Sequence, residues 1–224
     1  MRFLAIDTAT EACSVALYLD GAITEHFEIA PREHASLVLP MADRLLSAAG
    51  LTAAELDAIA FGRGPGAFTG VRIAAGVVQG IAYAADLPVV AVSDLAAVAL
   101  AAARSHGAKR ILVCFDARMR EVYWGIYESC DAKNTVILQD VERLSAPEQV
   151  QTAGNIYAAG SGWSVYPQLT QRFATQLVGT DPELLPHAAD IARLAAPQIE
   201  AGNTVPAELA LPVYLRDEVA WKKT

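Results

Sequence analysis

Gly62-Arg63-Gly64-Pro65-Gly66-Ala67-Phe68-Thr69-Gly70-Val71-Arg72 places four glycines and a proline within nine residues. The apolar run Ala58-Ile59-Ala60-Phe61 precedes it, and an apolar, helix-like segment follows from Val71 to Ala85. Strand, glycine-dense turn and helix is an order that turns backbone N–H groups toward an anion at a helix N-terminus. The same composition lets two backbones pass unusually close. The first reading points to an enzyme, the second to a packing element.

Working outward, Phe3–Ile6 reads as a buried strand ended by Asp7. Cys13–Leu19 and Ala22–Ile29 form a hairpin turned at Asp20-Gly21, a strong short-range turn signal. Helical spacing of Leu37, Met41, Leu45 and Leu46 predicts a helix over Glu33–Ala49, stopped by Gly50. Strand Ala58–Phe61, helix Phe68–Ala85, strand Val89–Val92 and helix Asp94–Ser105 follow. Strands that then alternate with helices make a mixed sheet with helical crossovers, an α/β class.

The opening then echoes. Ile111-Leu112-Val113-Cys114-Phe115 is a second buried strand ending in an aspartate, Asp116, followed by strands at Val122–Tyr127 and Thr135–Asp140. Val15 lies eight positions after Asp7, and Trp124 eight after Asp116. Two related halves are therefore expected, 1–105 and 106–224, the second less regular. It carries Gly160-Ser161-Gly162-Trp163, a helix at Ala188–Ile199 and a short extended stretch at Val213–Leu215.

Composition limits the function classes. The chain has 224 residues, 54% of them apolar, and a formal net charge of −8. That charge argues against gripping nucleic acid unaided, which needs a concentrated positive face. The late basic residues are only Arg216, Lys222 and Lys223. No segment offers the roughly 18–20 uninterrupted apolar residues of a membrane span. Ile73 to Val92 comes nearest, cut by Gln79, Asp86 and Pro88. The apolar N-terminal run is too short for a signal-peptide core, so a soluble, cytoplasmic chain is expected. Cys13, Cys114 and Cys130 show no metal spacing and suit a reducing compartment.

A duplicated strand–hairpin–helix plan with an aspartate closing the first strand resembles the actin, sugar-kinase and heat-shock ATPase group, a duplicated RNase H-like fold. That resemblance implies a nucleotide between the halves, its phosphates held by the first turn of each and a divalent ion positioned by the acidic group. Here Asp7, Thr8 and Thr10, with Gly64 and Gly66, stand where such a nucleotide turn would be, as a vestige. Asp-Thr also ends strands simply because both residues make good turns.

Four segments carry a narrower resemblance: Phe3 to Leu17, Gly62 to Arg72, Asp116-Ala117-Arg118-Met119-Arg120-Glu121-Val122-Tyr123-Trp124, and Pro212-Val213-Tyr214-Leu215-Arg216 with Val219-Ala220-Trp221-Lys222-Lys223. Together they resemble the bacterial TsaB (YeaZ) family, which takes part in making threonylcarbamoyladenosine in tRNA. The resemblance implies a relative of the metal-bearing transferase TsaD that acts as its partner and scaffold, with the ATPase TsaE as third member. It also implies a homodimer when alone, tRNA contact only through the complex, and no membrane. In TsaD two histidines one helical turn apart hold the metal; the matching positions here are Asp94 and Val98. Valine cannot ligate and lone aspartate is a poor substitute, so no metal site is expected, and Ser93 or Asp94 reads better as a helix N-cap.

His26, His34, His106 and His187 show no ligand spacing and read as surface or helix-end residues. The turn after Asp116, Ala117-Arg118-Met119-Arg120-Glu121, has no glycine and is a degraded phosphate turn; Gly160-Ser161-Gly162 is a partial trace of adenosine-side glycines. No catalytic residue and no cofactor are therefore expected, with a nucleotide at an interface shared with TsaD left open. The helix after the glycine turn is rich in small residues, and glycine inside a helix costs about 1 kcal/mol relative to alanine. The family's shared interface on the first two helices then falls on Leu37, Met41, Leu45, Ile73, Ala74, Gly76, Val77 and Gly80. Two other classes stay open: a metal-dependent glycoprotein peptidase and an ATP-dependent sugar-kinase-like enzyme using Asp7.

Overall fold

A computed structural model describes residues 1–130, 132 and 134–216. The tail residues Val219, Ala220, Trp221, Lys222 and Lys223 lie outside the described residues. The N-terminal sheet contains β1 (Arg2–Asp7), β2 (Ala12–Leu19), β3 (Ala22–Ile29), β4 (Ala58–Gly62) and β5 (Val89–Val92), in the spatial order β3-β2-β1-β4-β5. β2 and β3 turn at Asp20 and Gly21, both with positive φ (46° and 98°), the backbone that an Asp-Gly hairpin turn requires. β4 and β5 join β1 in parallel, which needs the helical crossovers α1 (His34–Ala49) and α2 (Phe68–Ala85).

The second sheet repeats the plan. β6 (Arg110–Asp116), β7 (Val122–Cys130), β8 (Thr135–Leu138), β10 (Ile156–Ala159) and β11 (Leu177–Asp181) run β11-β10-β6-β7-β8, with β9 (Arg143–Ser145) paired to β7. Read from the antiparallel edge, both sheets place their elements in one order, so the duplicated RNase H-like plan holds. The spacing echo that suggested it does not reflect equal register. Val15 pairs with Ile6, one residue before the strand-ending aspartate, whereas Trp124 pairs with Cys114, two before it.

β1 is buried on both faces, so its side chains alternate between two apolar layers. Leu4 and Ile6 face α1 and α2, meeting Val38, Met41, Leu45, Ala74 and Val78. Phe3 and Ala5 face the opposite way, toward Ile191, Ala192 and Ala195 of α6 (Ala188–Glu200). α3 (Asp94–His106) turns Leu95, Val98, Ala99 and Ala102 onto Ile111, Val113 and Phe115 of the second sheet. The short helices α4 (Gly162–Val165) and α5 (Pro167–Arg172) cover that sheet's other face with Trp163 and Leu169. Each half thus lends its last helix to the other. The strands of the first sheet lie between Arg2 and Val92 and those of the second between Arg110 and Asp181, while the cores are shared.

Candidate functional site

The glycine turn lies against the turn that follows β1. A Cβ added at Gly70 would stand 2.0 Å from the Thr8 carbonyl oxygen, and one at Gly66 2.5 Å from that of Ala9. Hydrogen bonds fasten the contact: the Ala67 N–H donates to Ala9 O at 2.7 Å, and the Thr8 hydroxyl to Gly70 O at 2.7 Å. The Arg63 N–H donates to Val92 O and the Gly64 N–H to Asp94 Oδ2, at 2.8 and 2.5 Å. Three backbone donors of the turn, those of Arg63, Gly64 and Ala67, are thereby engaged by the chain itself. The extended stretch expected at Val213–Leu215 joins the same cluster, the Val213 N–H donating to Arg63 O at 2.8 Å. Of the nucleotide-turn candidates, Asp7 and Thr8 have no exposed surface, Gly64 is buried, and Thr10 and Gly66 are half-buried. The geometry is close backbone approach.

Acidic groups gather behind the turn. Asp94, the first residue of α3, is fully buried and lies beside Asp7. Ser93 is the N-cap, its hydroxyl accepting from the Ala96 N–H at 3.3 Å, so the capping role falls to Ser93 rather than Asp94. Burial, then the neighbouring Asp7 and Glu142, pushes the Asp94 carboxyl well above the usual range; burial likewise raises Asp7. Glu142 bridges toward the second half, accepting from the Ser93 hydroxyl and from the Tyr127 hydroxyl at 2.6 Å, with the Arg63 guanidinium 3.8 Å away.

The counterpart turn after Asp116 differs. Arg118, Met119 and Arg120 take φ of 62°, 53° and 61° in succession, the left-handed region that side chains disfavour. Asp116 accepts from the Arg118 N–H at 2.9 Å and the Tyr166 hydroxyl at 2.8 Å. Gly160 and Gly162 serve packing: a Cβ on either would meet Cys114 at 2.8–2.9 Å.

The helix candidates divide. Met41, Leu45 and Ala74 are buried in the core of the N-terminal sheet, so they are corrected from contact to core residues. A bulky side chain at Ala74 would break the fold before it broke any contact. Leu37, Ile73 and Val77 are half-buried at the core's edge. Gly76 and Gly80 are exposed, and a Cβ at either meets nothing within 4 Å. The outward face of α2 is therefore settled: it carries Phe68, Arg72, Gly76, Gly80 and Tyr83, with Phe68 58% and Tyr83 83% exposed. Arg72 packs its guanidinium 3.2 Å over the Phe68 ring. α2 is long and apolar enough to cross a membrane by length and composition. Here Val71, Ala74, Ala75, Val78 and Ala82 pack its inner face against the sheet.

A model of the family described as TsaD, tRNA N6-adenosine threonylcarbamoyltransferase, matches residues 26–224. The Escherichia coli K12 protein described as tRNA threonylcarbamoyladenosine biosynthesis protein TsaB is 46% identical, over 100% of this chain and 98% of that one. This chain belongs to the TsaB family. The Haemophilus influenzae TsaB is 42% identical over 100% of this chain and 97% of its own length. A crystal structure described as YeaZ from Pseudomonas aeruginosa superposes with a TM-score of 0.86 at 48% identity, covering 96% of this chain and 99% of that one. Another from that organism, described as an uncharacterized protein with similarity to peptidase YEAZ, gives 0.87 at 47% identity, with the same coverage.

Membership in the TsaB family sharpens the reading of α3. Val98 is fully buried in the core and Asp94 is turned to Asp7. Among the described residues no group of three or more His, Cys, Asp or Glu converges to hold a metal.

His34 opens α1, His106 closes α3, and His187 stands at the start of α6. His187 belongs to a cluster that the sequence concealed. Glu25 Oε1 accepts from the Ser14 hydroxyl at 2.8 Å and the Ala189 N–H at 3.0 Å. Glu25 Oε2 lies 3.0 Å from His187 Nδ1, and Ser14 Oγ accepts from the Ala188 N–H at 2.8 Å. This trio caps the N-terminus of α6. Ser14 has no exposed surface, which closes its hydroxyl off from a substrate in this structure. Glu25 and His187 are 162 residues apart, and no local signal links them.

Proposed function

We propose that this chain is a non-catalytic cytoplasmic scaffold for threonylcarbamoyladenosine formation in tRNA, docking TsaD through the outward face of α2 and the adjoining edge of α1, with TsaE as the third member. The relatives' shared description supports the pathway; the site geometry supports the role. Asp7 and Thr8 are closed in by the glycine turn, which argues against phosphate binding by the chain alone. Asp94 and Val98 offer no metal pair, which counts against peptidase chemistry.

One observation carries the docking surface. Gly76 and Gly80 cost the free helix about 1 kcal/mol each relative to alanine, yet among the described residues nothing comes within 4 Å of a Cβ at either. Only a partner seated on that face would benefit from the bare backbone. Leu37, Ile73 and Val77 rim it. The same face serves a homodimer in the free protein, while tRNA is met only in the complex.

Reconstitution tests the reading. TsaD and TsaE, with tRNA, ATP and threonylcarbamoyl donor, should modify tRNA only when this chain is added. An Asp7→Asn variant, which would disable phosphotransfer or metal chemistry at that aspartate, should support the reaction as well as wild type. Loss of modification with a folded Asp7→Asn protein would make the chain a catalyst and end the scaffold reading.

A further inference from the structure

Two fully buried carboxyl groups face each other where β1 ends and α3 begins. Asp7 and Asp94 have no exposed surface. One oxygen of each has a backbone donor: Asp7 Oδ1 accepts from the Ala9 N–H at 3.0 Å, and Asp94 Oδ2 from the Gly64 N–H at 2.5 Å. The other two, Asp7 Oδ2 and Asp94 Oδ1, are buried and meet no donor among the described residues, although the carboxyls themselves lie within hydrogen-bonding contact. Gly62 flanks the pair so tightly that a Cβ would stand 2.3 Å from Asp94 Oδ1 and 2.5 Å from Asp7 Oδ1.

Two ionised carboxylates cannot share a dry site, because each penalises the other's charge and neither is hydrated. Neighbouring groups do not relieve this. His34 faces Asp7 from α1, but its Nε2 reaches no partner; His187 faces it more remotely from α6, and Cys13 from β2. Glu142 adds negative charge beside Asp94, and the Arg63 guanidinium is directed to Glu142. One proton between the two orphaned oxygens satisfies both.

We propose that Asp7 and Asp94 share a single proton, held between Asp94 Oδ1 and Asp7 Oδ2, that latches the glycine turn to the end of β1 and the start of α3. Asp94 is the protonated partner, since Asp7 has the backbone N–H groups of Thr8 and Ala9 to hold its charge. Through Gly64 and Arg63 the latch also reaches Val213, so its release frees the joint between the turn and the C-terminal segment.

The sign of the pH dependence follows. In the unfolded chain both aspartates ionise near their ordinary pKa of about 4. In the folded chain one proton stays on, so the folded state is favoured fully below that value. The advantage shrinks as pH rises toward the folded pKa, and over that window the unfolding constant grows tenfold per pH unit.

The test compares wild type with Asp94→Asn, whose amide donates to Asp7 as the acid does and cannot ionise. His187 and Asp190 also hold raised pKa values, so the difference between the two proteins, not the wild-type slope, is read. Urea unfolding between pH 5 and 8 should show wild type losing stability relative to Asp94→Asn by up to tenfold per unit. The infrared carbonyl band of a buried carboxylic acid should be present in wild type at pH 7 and absent from the variant. If Asp94→Asn does not fold, the wild-type band is read alone. Parallel stability curves, a missing wild-type band, or one equivalent of bound divalent cation released on unfolding would each overturn the latch.

Discussion

Gly70→Ala tests the close approach of backbones directly. Gly70 lies in the first turn of α2, where alanine is conformationally welcome and gains up to about 1 kcal/mol of helix propensity. Against that gain, the new methyl would fall 2.0 Å from Thr8 O, which is backbone and cannot swing aside. Forcing an extra carbon into such packing costs about 1–3 kcal/mol. Any shift also strains the buried bond from the Thr8 hydroxyl to Gly70 O, and an orphaned buried hydroxyl costs about 1–3 kcal/mol. The net is a loss of about 1–5 kcal/mol, or roughly 2–20 °C in Tm for a chain of this size. Gly76→Ala is the control: its methyl meets nothing, so the free protein should gain up to about 1 kcal/mol. Thermal unfolding followed by far-ultraviolet circular dichroism would measure both. A Gly70→Ala protein as stable as wild type would refute the packing role of the glycine turn.

Glu25→Gln should lose about 1–3 kcal/mol by weakening the charge-assisted cap on α6, read as a lower urea midpoint. The bond to Glu25 raises the His187 pKa, so that stabilisation is complete below the ordinary value near 6.5 and fades as pH rises through the folded one. Bonds to His187, Ala189 and Ser14 outweigh burial and lower the Glu25 pKa; its contribution is present above the ordinary carboxylate range and lost as pH falls through the folded value. The pair should therefore stabilise most near pH 5–6, and a Glu25→Gln difference curve flat from pH 4 to 9 would contradict it. Met119→Gly should stabilise by about 1 kcal/mol, because φ is 53° and the side chain is 76% exposed. An unchanged or lower midpoint would show that the left-handed run at Arg118, Met119 and Arg120 is not strained.

Much of the fold was legible because its signals are local. The Asp20-Gly21 turn, the apolar run of β1 and the Gly50 stop with φ of 66° need only neighbouring residues. The exchange of α3 and α6 between halves left no trace, since an apolar helix face does not name the sheet that it covers. The second half carries weaker local signals for a related reason: β10 and β11 are four and five residues long, and α4 has a single turn. Helical spacing found the apolar stripe of α1 but could not tell inward from outward, so Met41 and Leu45 were assigned to a partner that the core had displaced. Asp94 looked like a cap because it follows Ser93 at a helix start; its partner Asp7 lies in another strand, beyond any sequence period. Glu142 was likewise invisible until folding set it against Ser93, Tyr127 and Arg63.

The docking claim is tested most directly by titrating TsaD calorimetrically into wild type and Gly76→Leu. Position 76 has open space around it, so the leucine should leave the fold intact and the Tm of the free chain no lower than wild type. Wild type is predicted to bind, and Gly76→Leu to lose at least tenfold in affinity and fail to support tRNA modification. Equal affinity for the two proteins would contradict the account.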